Sequence, residues 1–142
     1  LMSTTVIFTV PGEPKGKGRP RFVKATGRAV TPKDTASYEN LVKLEYASQC
    51  GDFRFPDTAM LDMRIRAYYS IPKSASKVKI YDMLNGLIRP TKKPDMDNVV
   101  KVIADSLNQL AYRDDTQIVD CQCRKFYSDR PRVDVVIAQV GE

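Results

Sequence analysis

The sequence predicts an α+β fold in which a mixed or antiparallel sheet packs against helices as a single domain. The chain has 142 residues, a length typical of one domain with its own core. Segments with the two-residue period of strands and segments with the 3.6-residue period of helices both occur. Their order is strand, hairpin, helix, strand, two helices and two strands, which lacks the strict alternation of a doubly wound sheet. We therefore treat residues 1–142 as one domain.

The first third of the chain predicts a strand, a loop, a hairpin and a helix. Residues 4–10 are rich in β-branched side chains, which favour a strand. Residues 11–20 contain three glycines and three prolines, which favour a loop. Residues 21–24 and 28–31 flank Ala-Thr-Gly and predict a short hairpin. A helix is predicted from residue 34 or 35 to residue 49.

The remainder predicts a long strand, two helices and two closing strands. Residues 60–71 alternate apolar and polar side chains, the pattern of a half-buried strand. Ser74 is the predicted N-cap of a helix that ends near residue 84. The next predicted helix spans residues 98–110, and the strands 117–127 and 132–140 follow. The apolar stripe of the 98–110 helix consists of Val100, Ile103, Leu107 and Leu110.

Composition excludes several classes of protein. The hydrophobic fraction is 42% and the charged fraction is 28%, as in ordinary folded domains. No apolar run approaches the roughly 20 residues that span a bilayer, and no signal peptide is apparent, so we expect a cytoplasmic protein without membrane contact. The three cysteines, Cys50, Cys121 and Cys123, are odd in number and accompany no histidine. We expect reduced, partly buried thiols and no disulfide or structural zinc.

The positive charge is concentrated in the basic loop, which we define as residues 11–33. This segment holds seven basic residues and one acidic residue, and its net charge equals the formal +6 of the whole chain. Such local concentration predicts contact with a phosphate backbone, although a solubilising loop is the alternative. The predicted DNA contacts are Lys15, Lys17, Arg19, Arg21, Lys24 and Arg28. Phe22 is expected to pack in the core or to stack on an opened base pair.

The same loop superficially resembles a nucleotide-binding P-loop. Walker A requires four residues between its glycines and then Lys-Ser/Thr, whereas Lys17 is followed by Gly18. The spacing is wrong, and no hydroxyl follows the lysine to bind Mg²⁺. We therefore expect no nucleotide cofactor.

The acidic segment, residues 94–115, is the most informative stretch of the chain. It contains five carboxylates, which are Asp95, Asp97, Asp105, Asp114 and Asp115. Clustered carboxylates repel one another unless a cation neutralises them, and oxygen ligands suit Mg²⁺, with Mn²⁺ as the alternative. The alternative reading is that these acids are helix caps and surface ion pairs, with Lys101 and Asp105 forming an i,i+4 pair. An acidic metal site in a basic protein favours an enzyme that cuts nucleic acid.

The sequence alone does not determine where Asp115 lies relative to Asp97. Asp97 is expected to cap the helix or to lie in its first turn, and Asp95 and Asp97 are expected on the same side of the extended entry segment. A 13-residue helix is about 20 Å long, which would place Asp115 at the opposite end from Asp97 unless the chain reverses.

The chain resembles the RusA family of Holliday-junction resolvases, including prophage members. The resemblance rests on Pro-Gly-Glu-Pro-Lys-Gly-Lys-Gly-Arg-Pro-Arg at residues 11–21, on Lys-Pro-Asp-Met-Asp-Asn at 93–98 and on Asp-Asp-x-Gln-Ile at 114–118. It implies a small homodimeric, Mg²⁺-dependent endonuclease that makes paired nicks in four-way junction DNA. Asp95, Asp97 and Asp115 match the metal-binding catalytic carboxylates, and Lys101 matches the catalytic lysine. Gln109 departs from the pattern, because many members have glycine there.

The resemblance also implies a role for each residue. The three aspartates would hold the ion, and Lys101 would stabilise charge that develops on the phosphoryl group. Asp105 and Asp114 would orient these groups or serve the structure. A non-catalytic protein that binds branched DNA is the alternative function. An RNA-directed protein is disfavoured, because no RNP aromatic motif is present.

Overall fold

A computed structural model describes residues 4–18, 21–23, 28–30 and 33–141. The strands are β1 (Thr5–Pro11), β2 (Arg21–Val23), β3 (Arg28–Val30), β4 (Met60–Ser70), β5 (Ile118–Ser128) and β6 (Arg132–Val140). The helices are α1 (Lys33–Cys50), α2 (Lys77–Leu84) and α3 (Met96–Ser106), and one 3₁₀ turn spans Asp115–Gln117. The predicted α+β architecture is confirmed.

The main sheet has the strand order β1-β6-β4-β5. β6 pairs antiparallel with both β1 and β4, whereas β4 pairs in parallel with β5. The sheet is therefore mixed, as predicted. β2 and β3 form a separate antiparallel hairpin. Its turn, predicted at residues 25–27, lies outside the described residues.

Alternation along β4 decides which face of the sheet carries the core. The odd-numbered residues from Leu61 to Tyr69 are buried, whereas the even-numbered residues Asp62 to Ser70 are at least partly exposed. Apolar side chains of α1 and α3 join the buried set in one core cluster, so both helices pack on this face. The other face of the sheet, which we call the open face, points away from the core.

Helix α3 differs from its predicted bounds at both ends. Asp95 is extended, with φ −66° and ψ 154°, and helical structure begins at Met96. The helix ends at Ser106, and Gln109 adopts φ 65°, a left-handed conformation that interrupts helical geometry. Glycine adopts this conformation without strain, whereas glutamine adopts it at a cost.

Two further sequence predictions are corrected. Ser76, not Ser74, caps α2, because its hydroxyl accepts a hydrogen bond from the Lys79 N–H at 3.3 Å. Of the predicted core stripe of α3, Ile103 and Leu107 are fully buried, whereas Val100 and Leu110 are partly buried against the core. The stripe is wider than predicted and includes Val99 and Val102, because the helix packs on α1 as well as on the sheet.

Candidate active site

The N-terminal end of α3 carries two of the predicted carboxylates. Asp95 is the N-cap residue, but its side chain makes no capping hydrogen bond. Asp97 lies in the first turn and is exposed. The unpaired N–H groups of this turn and the helix dipole favour an anionic group at this position. A carboxylate or a substrate phosphate would be stabilised there.

The chain reverses after α3 and returns Asp115 to the side of the helix. The Gln109 N–H donates to the Tyr112 carbonyl at 2.8 Å, and the buried Tyr112 hydroxyl donates to the Ala104 carbonyl at 2.6 Å. The Asp115 N–H then donates to Asn108 Oδ1 at 2.8 Å. These contacts hold Asp115 beside the C-terminal half of α3, so Asp115 begins a 3₁₀ turn and not the predicted strand.

A cleft of about 690 Å³ lies between α3 and β5, and we call it the acidic cleft. Its polar lining consists of Asp97, Lys101 and Asp115. Its apolar lining consists of Met96, Val100, Ala104, Ile118, Cys121 and Cys123. A polar stripe on α3 consists of Asp97, Lys101 and Asp105. Its members are four residues apart, so each lies about 6 Å further along the helix axis than the one before. The fold therefore brings three of the four predicted catalytic residues to one cleft of a single chain.

Asp95 does not join the other carboxylates in this cleft. It lines a neighbouring groove together with Lys15, Lys93 and Asn98. Asp97 lies in the first turn of α3, as predicted, and Asp95 is the last extended residue. The two carboxylates line neighbouring grooves and not one shared space.

Asp105 and Asp115 lie close enough for the charge of Asp105 to act on the Asp115 carboxyl group. Burial, followed by the charges of Asp114 and Asp105, raises the pKa of Asp115 above its ordinary value. Asp114 behaves differently, since hydrogen bonds from Thr116 lower its pKa. It caps the 3₁₀ turn in a capping box with Gln117, which assigns it a structural role.

The glycine-rich part of the basic loop is fixed against α3 and α1. The Lys17 N–H donates to the Asn98 carbonyl at 3.1 Å, and the Gly18 N–H donates to Thr35 Oγ1 at 2.9 Å. A Cβ atom on Gly16 would lie 3.0 Å from the Cβ atoms of both Asn98 and Pro94. A larger residue would require Asn98 or Pro94 to move by a few tenths of an ångström, so glycine favours this close approach of the loop to the acidic segment.

Lys17, a predicted DNA contact, has two carboxylate partners within the chain. Its Nζ lies 2.9 Å from Glu39 Oε1 and 3.4 Å from Asp105 Oδ2. Partial burial would lower its pKa, but the hydrogen bond and charge of Glu39, together with Asp105, raise the pKa above its ordinary value. Lys17 thus links α1 to the acidic cleft through Asp105 and Asp115.

The structure describes the other predicted DNA contacts only in part. Lys15 is exposed beside the groove that contains Asp95. The backbones of Arg21 and Arg28 lie in the β2–β3 hairpin. Arg19 and Lys24 lie outside the described residues. The cysteines are free thiols, as expected, and burial raises the pKa of Cys123 to about 11.

Sequence reasoning missed two basic residues beside the acidic segment. Lys125 Nζ lies 5.0 Å from the centroid of the Tyr69 ring and donates to the Lys92 carbonyl at 2.7 Å. Lys92 Nζ in turn lies 5.9 Å from the Tyr127 ring. The sequence pattern that could have identified Lys125 was the two-residue period of β5. That period places Lys125 and Tyr127 on the same face as Cys123.

The donor chemistry of the acidic cleft fits a hard divalent cation, but the protein does not form a closed cage. Asp97 and Asp115 supply carboxylate oxygens to one space. Within the described ranges, no three acidic or cysteine side chains lie close enough to hold one ion. Mg²⁺ is commonly held by one or two carboxylates together with water and substrate phosphates. Asp97 or Asp115 could each hold an ion in that open mode, with water and substrate phosphate as its other ligands.

A carboxylate-lined cleft that borders a basic loop on a small α+β domain is typical of nucleases. The family model described as endodeoxyribonuclease RusA matches residues 11–138. The chain therefore belongs to the RusA family of endodeoxyribonucleases. It is also similar to YqaN, an uncharacterised protein of Bacillus subtilis (strain 168). The two are 41% identical over 139 residues, which cover 94% of this chain and 96% of that protein. In the part of the chain that the structure describes, no helix is long and apolar enough to cross a membrane.

Proposed function

We propose that this chain is a divalent-metal-dependent endodeoxyribonuclease that resolves Holliday junctions by paired symmetric nicks. The observation that carries the proposal is the acidic cleft, where Asp97, Lys101 and Asp115 line one space beside the basic loop. Membership of the RusA family supports nuclease action of the Holliday-junction resolvase type. Mg²⁺ is the proposed ion, with Mn²⁺ as a substitute, because hard carboxylate oxygens surround the cleft.

The chain supplies three functions to the reaction. Asp97 and Asp115 would hold the ion, and Asp95 would join them through a substrate-bound rearrangement or serve the neighbouring groove. A bound divalent ion would polarise the phosphate and lower the pKa of a coordinated water. Lys101 lies between Asp97 and Asp105 on the helix stripe, where its charge would stabilise the developing phosphoryl charge.

Asp115 is also a candidate proton acceptor. The described chain contains no histidine, so a carboxylate or a water must take the proton of the nucleophile. Burial and the neighbouring carboxylates raise the pKa of Asp115, and a raised pKa makes it a better acceptor than a solvent-exposed carboxylate. Asp105, held by Lys17, would orient Asp115.

Paired nicks in a symmetric junction require two sites, and we propose a homodimer with twofold symmetry. Apolar side chains on α2 and just after it are exposed, and we propose that they form the surface that contacts a second copy of the chain. They are Val78, Tyr81, Leu84 and Leu87, which are 72%, 67%, 51% and 74% exposed. We expect Tyr81→Glu to give a monomer by light scattering and Lys79→Glu on the same helix to leave the dimer intact. A wild-type monomer at assay concentrations would contradict this arrangement.

The direct test is cleavage of a labelled synthetic four-way junction beside a linear duplex of the same sequence. We expect symmetric nicks in the junction alone, in Mg²⁺ or Mn²⁺ and not in EDTA. Asp97→Asn should reduce the cleavage rate at least about a hundredfold while junction binding is kept or strengthened. Asp129→Asn, an exposed acid in the β5–β6 turn, is the matched control and should cut normally.

The alternative function is a non-catalytic protein that binds branched DNA. Tight junction binding without cleavage in either ion would favour it and assign the acids to capping and ion pairing. Normal cutting by Asp97→Asn would show that the metal-site assignment is wrong.

A further inference from the structure

We propose that the open face of the sheet carries a second DNA contact surface, which binds the phosphate backbone of a double-stranded arm. The surface is formed by the guanidinium groups of Arg89 and Arg124, which lie over the Phe126 ring, and of Arg66, which is in register with Arg124. It rests on the proposed function, because it assigns a further contact for the same DNA substrate. It is separate from the basic loop and from the acidic cleft.

The position of the surface follows from strand register. Tyr69 is buried in the core, so its neighbour Tyr68 projects from the open face. Phe126 of β5 is in register with Tyr68, and the two rings stack with their centroids 5.6 Å apart. Two residues earlier on the same face, Arg66 is in register with Arg124. The cleft residues Cys121 and Cys123 occupy alternate positions on β5 and so face the opposite side.

The aromatic rings hold the arginines and are not themselves available to bases. The Arg89 guanidinium carbon lies 4.4 Å from the Phe126 centroid, and that of Arg124 lies 5.1 Å from it. Arg89 is fixed further, since its Nε donates to the Lys125 carbonyl at 2.8 Å. On the other ring, Arg132 lies 4.0 Å from the Tyr68 centroid. Covered rings cannot stack on bases, so the surface presents cations to a backbone and is not a platform for single strands.

The charges of this surface lack acidic partners. Among the described residues, Arg66, Arg89 and Arg124 form no ion pair within 4.0 Å. The acid in register with Arg66 is Asp134, but Arg132 Nε contacts its Oδ2 at 3.3 Å and the Thr9 hydroxyl donates to its Oδ1 at 2.9 Å.

Like charges directly opposite on adjacent strands repel each other, so an anion bound at the Arg66–Arg124 pair would relieve that repulsion. Duplex DNA provides one negative charge per about 1.7 Å of its axis, and guanidinium groups bind phosphate in a bidentate manner. Charge complementarity therefore selects a DNA arm as the occupant.

Sequence reasoning could not find this surface. Outside the basic loop, basic and acidic residues balance, which suggested no second site. The fold separates these charges along the open face, because Asp62 and Asp120 lie in register at the other end of β4 and β5. Only strand pairing brings the arginines together.

The test is the salt dependence of DNA binding in EDTA, where no cleavage takes place. The probes are a four-way junction with long arms and a linear duplex of the arm sequence. For the Arg66→Ala/Arg124→Ala variant, the slope of log K against log salt should fall by about 1.8, and affinity at 0.1 M salt should fall about eightfold per arginine. The loss should be similar on both probes, because the contact is to an arm and not to the crossover.

Two further variants separate charge from structure. Phe126→Leu keeps every charge but removes the ring under Arg89 and Arg124, and it should weaken binding about two- to fivefold with an unchanged slope. Arg64→Ala is the matched control, since Arg64 is on the same face but pairs with Asp62 at 3.2 Å. It should retain wild-type affinity and slope.

The outcomes are distinct. An unchanged slope in the double arginine variant, with a wild-type melting temperature, would overturn the proposal. The proposal would also be overturned if the double arginine variant lost affinity for a single-stranded RNA of equal length but kept its affinity for the duplex. A wild-type protein that fails to cut junctions, while the double variant still loses duplex affinity, would overturn the proposed function and leave this surface standing.

Discussion

Removal of the Lys17 charge should destabilise the fold more than removal of an ordinary surface charge. Lys17, Glu39 and Asp105 form a partly buried ion-pair triad whose side chains are 20%, 18% and 25% exposed. Exposed pairs contribute about 0.2–1 kcal/mol, whereas loss of one partner from a buried pair costs about 3–5 kcal/mol. For this intermediate exposure, we expect Lys17→Met to lower the free energy of unfolding by about 2 kcal/mol. Methionine retains the apolar stem and removes only the charge.

The expected shift in melting temperature follows from chain length. Unfolding entropy is about 2.1 cal/mol/K per residue, or about 0.3 kcal/mol/K for a chain of this size, so 2 kcal/mol corresponds to about 7 °C. The assay is thermal unfolding by circular dichroism at pH 7 in EDTA. Adding Glu39→Gln to Lys17→Met should recover part of the loss, because Glu39 is then no longer an unpaired charge.

A matched pair controls for general charge effects. Arg54 and Asp57 are 3.3 Å apart, with side chains 38% and 55% exposed, and Arg54→Met should cost less than about 0.5 kcal/mol. A Lys17→Met variant that melts within 1 °C of the wild type, or a negligible coupling with Glu39→Gln, would refute the assigned role of the triad. Lys15→Ala should lower the slope of log K against log salt for DNA binding by about 0.9. Lys17→Met should change this slope less, because the Lys17 charge is paired with Glu39 and Asp105.

Three further predictions concern the acidic cleft and the loop beside it. Gly16→Ala should cost about 2 kcal/mol in thermal unfolding, because its Cβ would lie 3.0 Å from the Cβ atoms of Asn98 and Pro94, whereas Lys15→Ala should be nearly neutral. The raised pKa of Asp115 means that its contribution to stability is greatest below its unfolded pKa and is lost as pH rises through its folded pKa. Asp115→Asn should therefore melt above the wild type at pH 7 in EDTA and equal to it near pH 3; the reverse order would contradict burial as the cause. The pKa of about 11 for Cys123 predicts that its alkylation rate, followed by mass spectrometry, rises about tenfold per pH unit beyond pH 9 in the folded protein, and a plateau near pH 9 would contradict this value.

Much of the element order could be predicted, because it depends on local periodicity. The strand at Arg132–Val140 has its predicted bounds, and β4 shows the predicted alternation. The errors in secondary structure lay at the ends of elements. Ser76 replaced Ser74 as a cap, and the left-handed Gln109 stopped α3 before residue 110. Such ends depend on single backbone conformations, which periodicity does not determine.

The candidate site was only partly predictable for the same reason. The helical interval alone places Asp97, Lys101 and Asp105 on one stripe. The return of Asp115 depends on the Tyr112 hydroxyl and the Asn108 amide, which act across a turn whose geometry no sequence period describes. Asp95 was expected beside Asp97, but the onset of the helix separated them into two grooves.

The sequence by itself determined the fold class, the segregation of positive charge into the basic loop and the carboxylates that define the acidic cleft. These properties follow from composition and from patterns within a few residues, where the geometry of helices and strands is fixed. The tertiary structure alone decided the strand order β1-β6-β4-β5, the pairing of Lys17 with Glu39 and Asp105, and the arginine surface on the open face. Each of these joins residues far apart in the chain, and the free energy of such contacts depends on how the whole core packs.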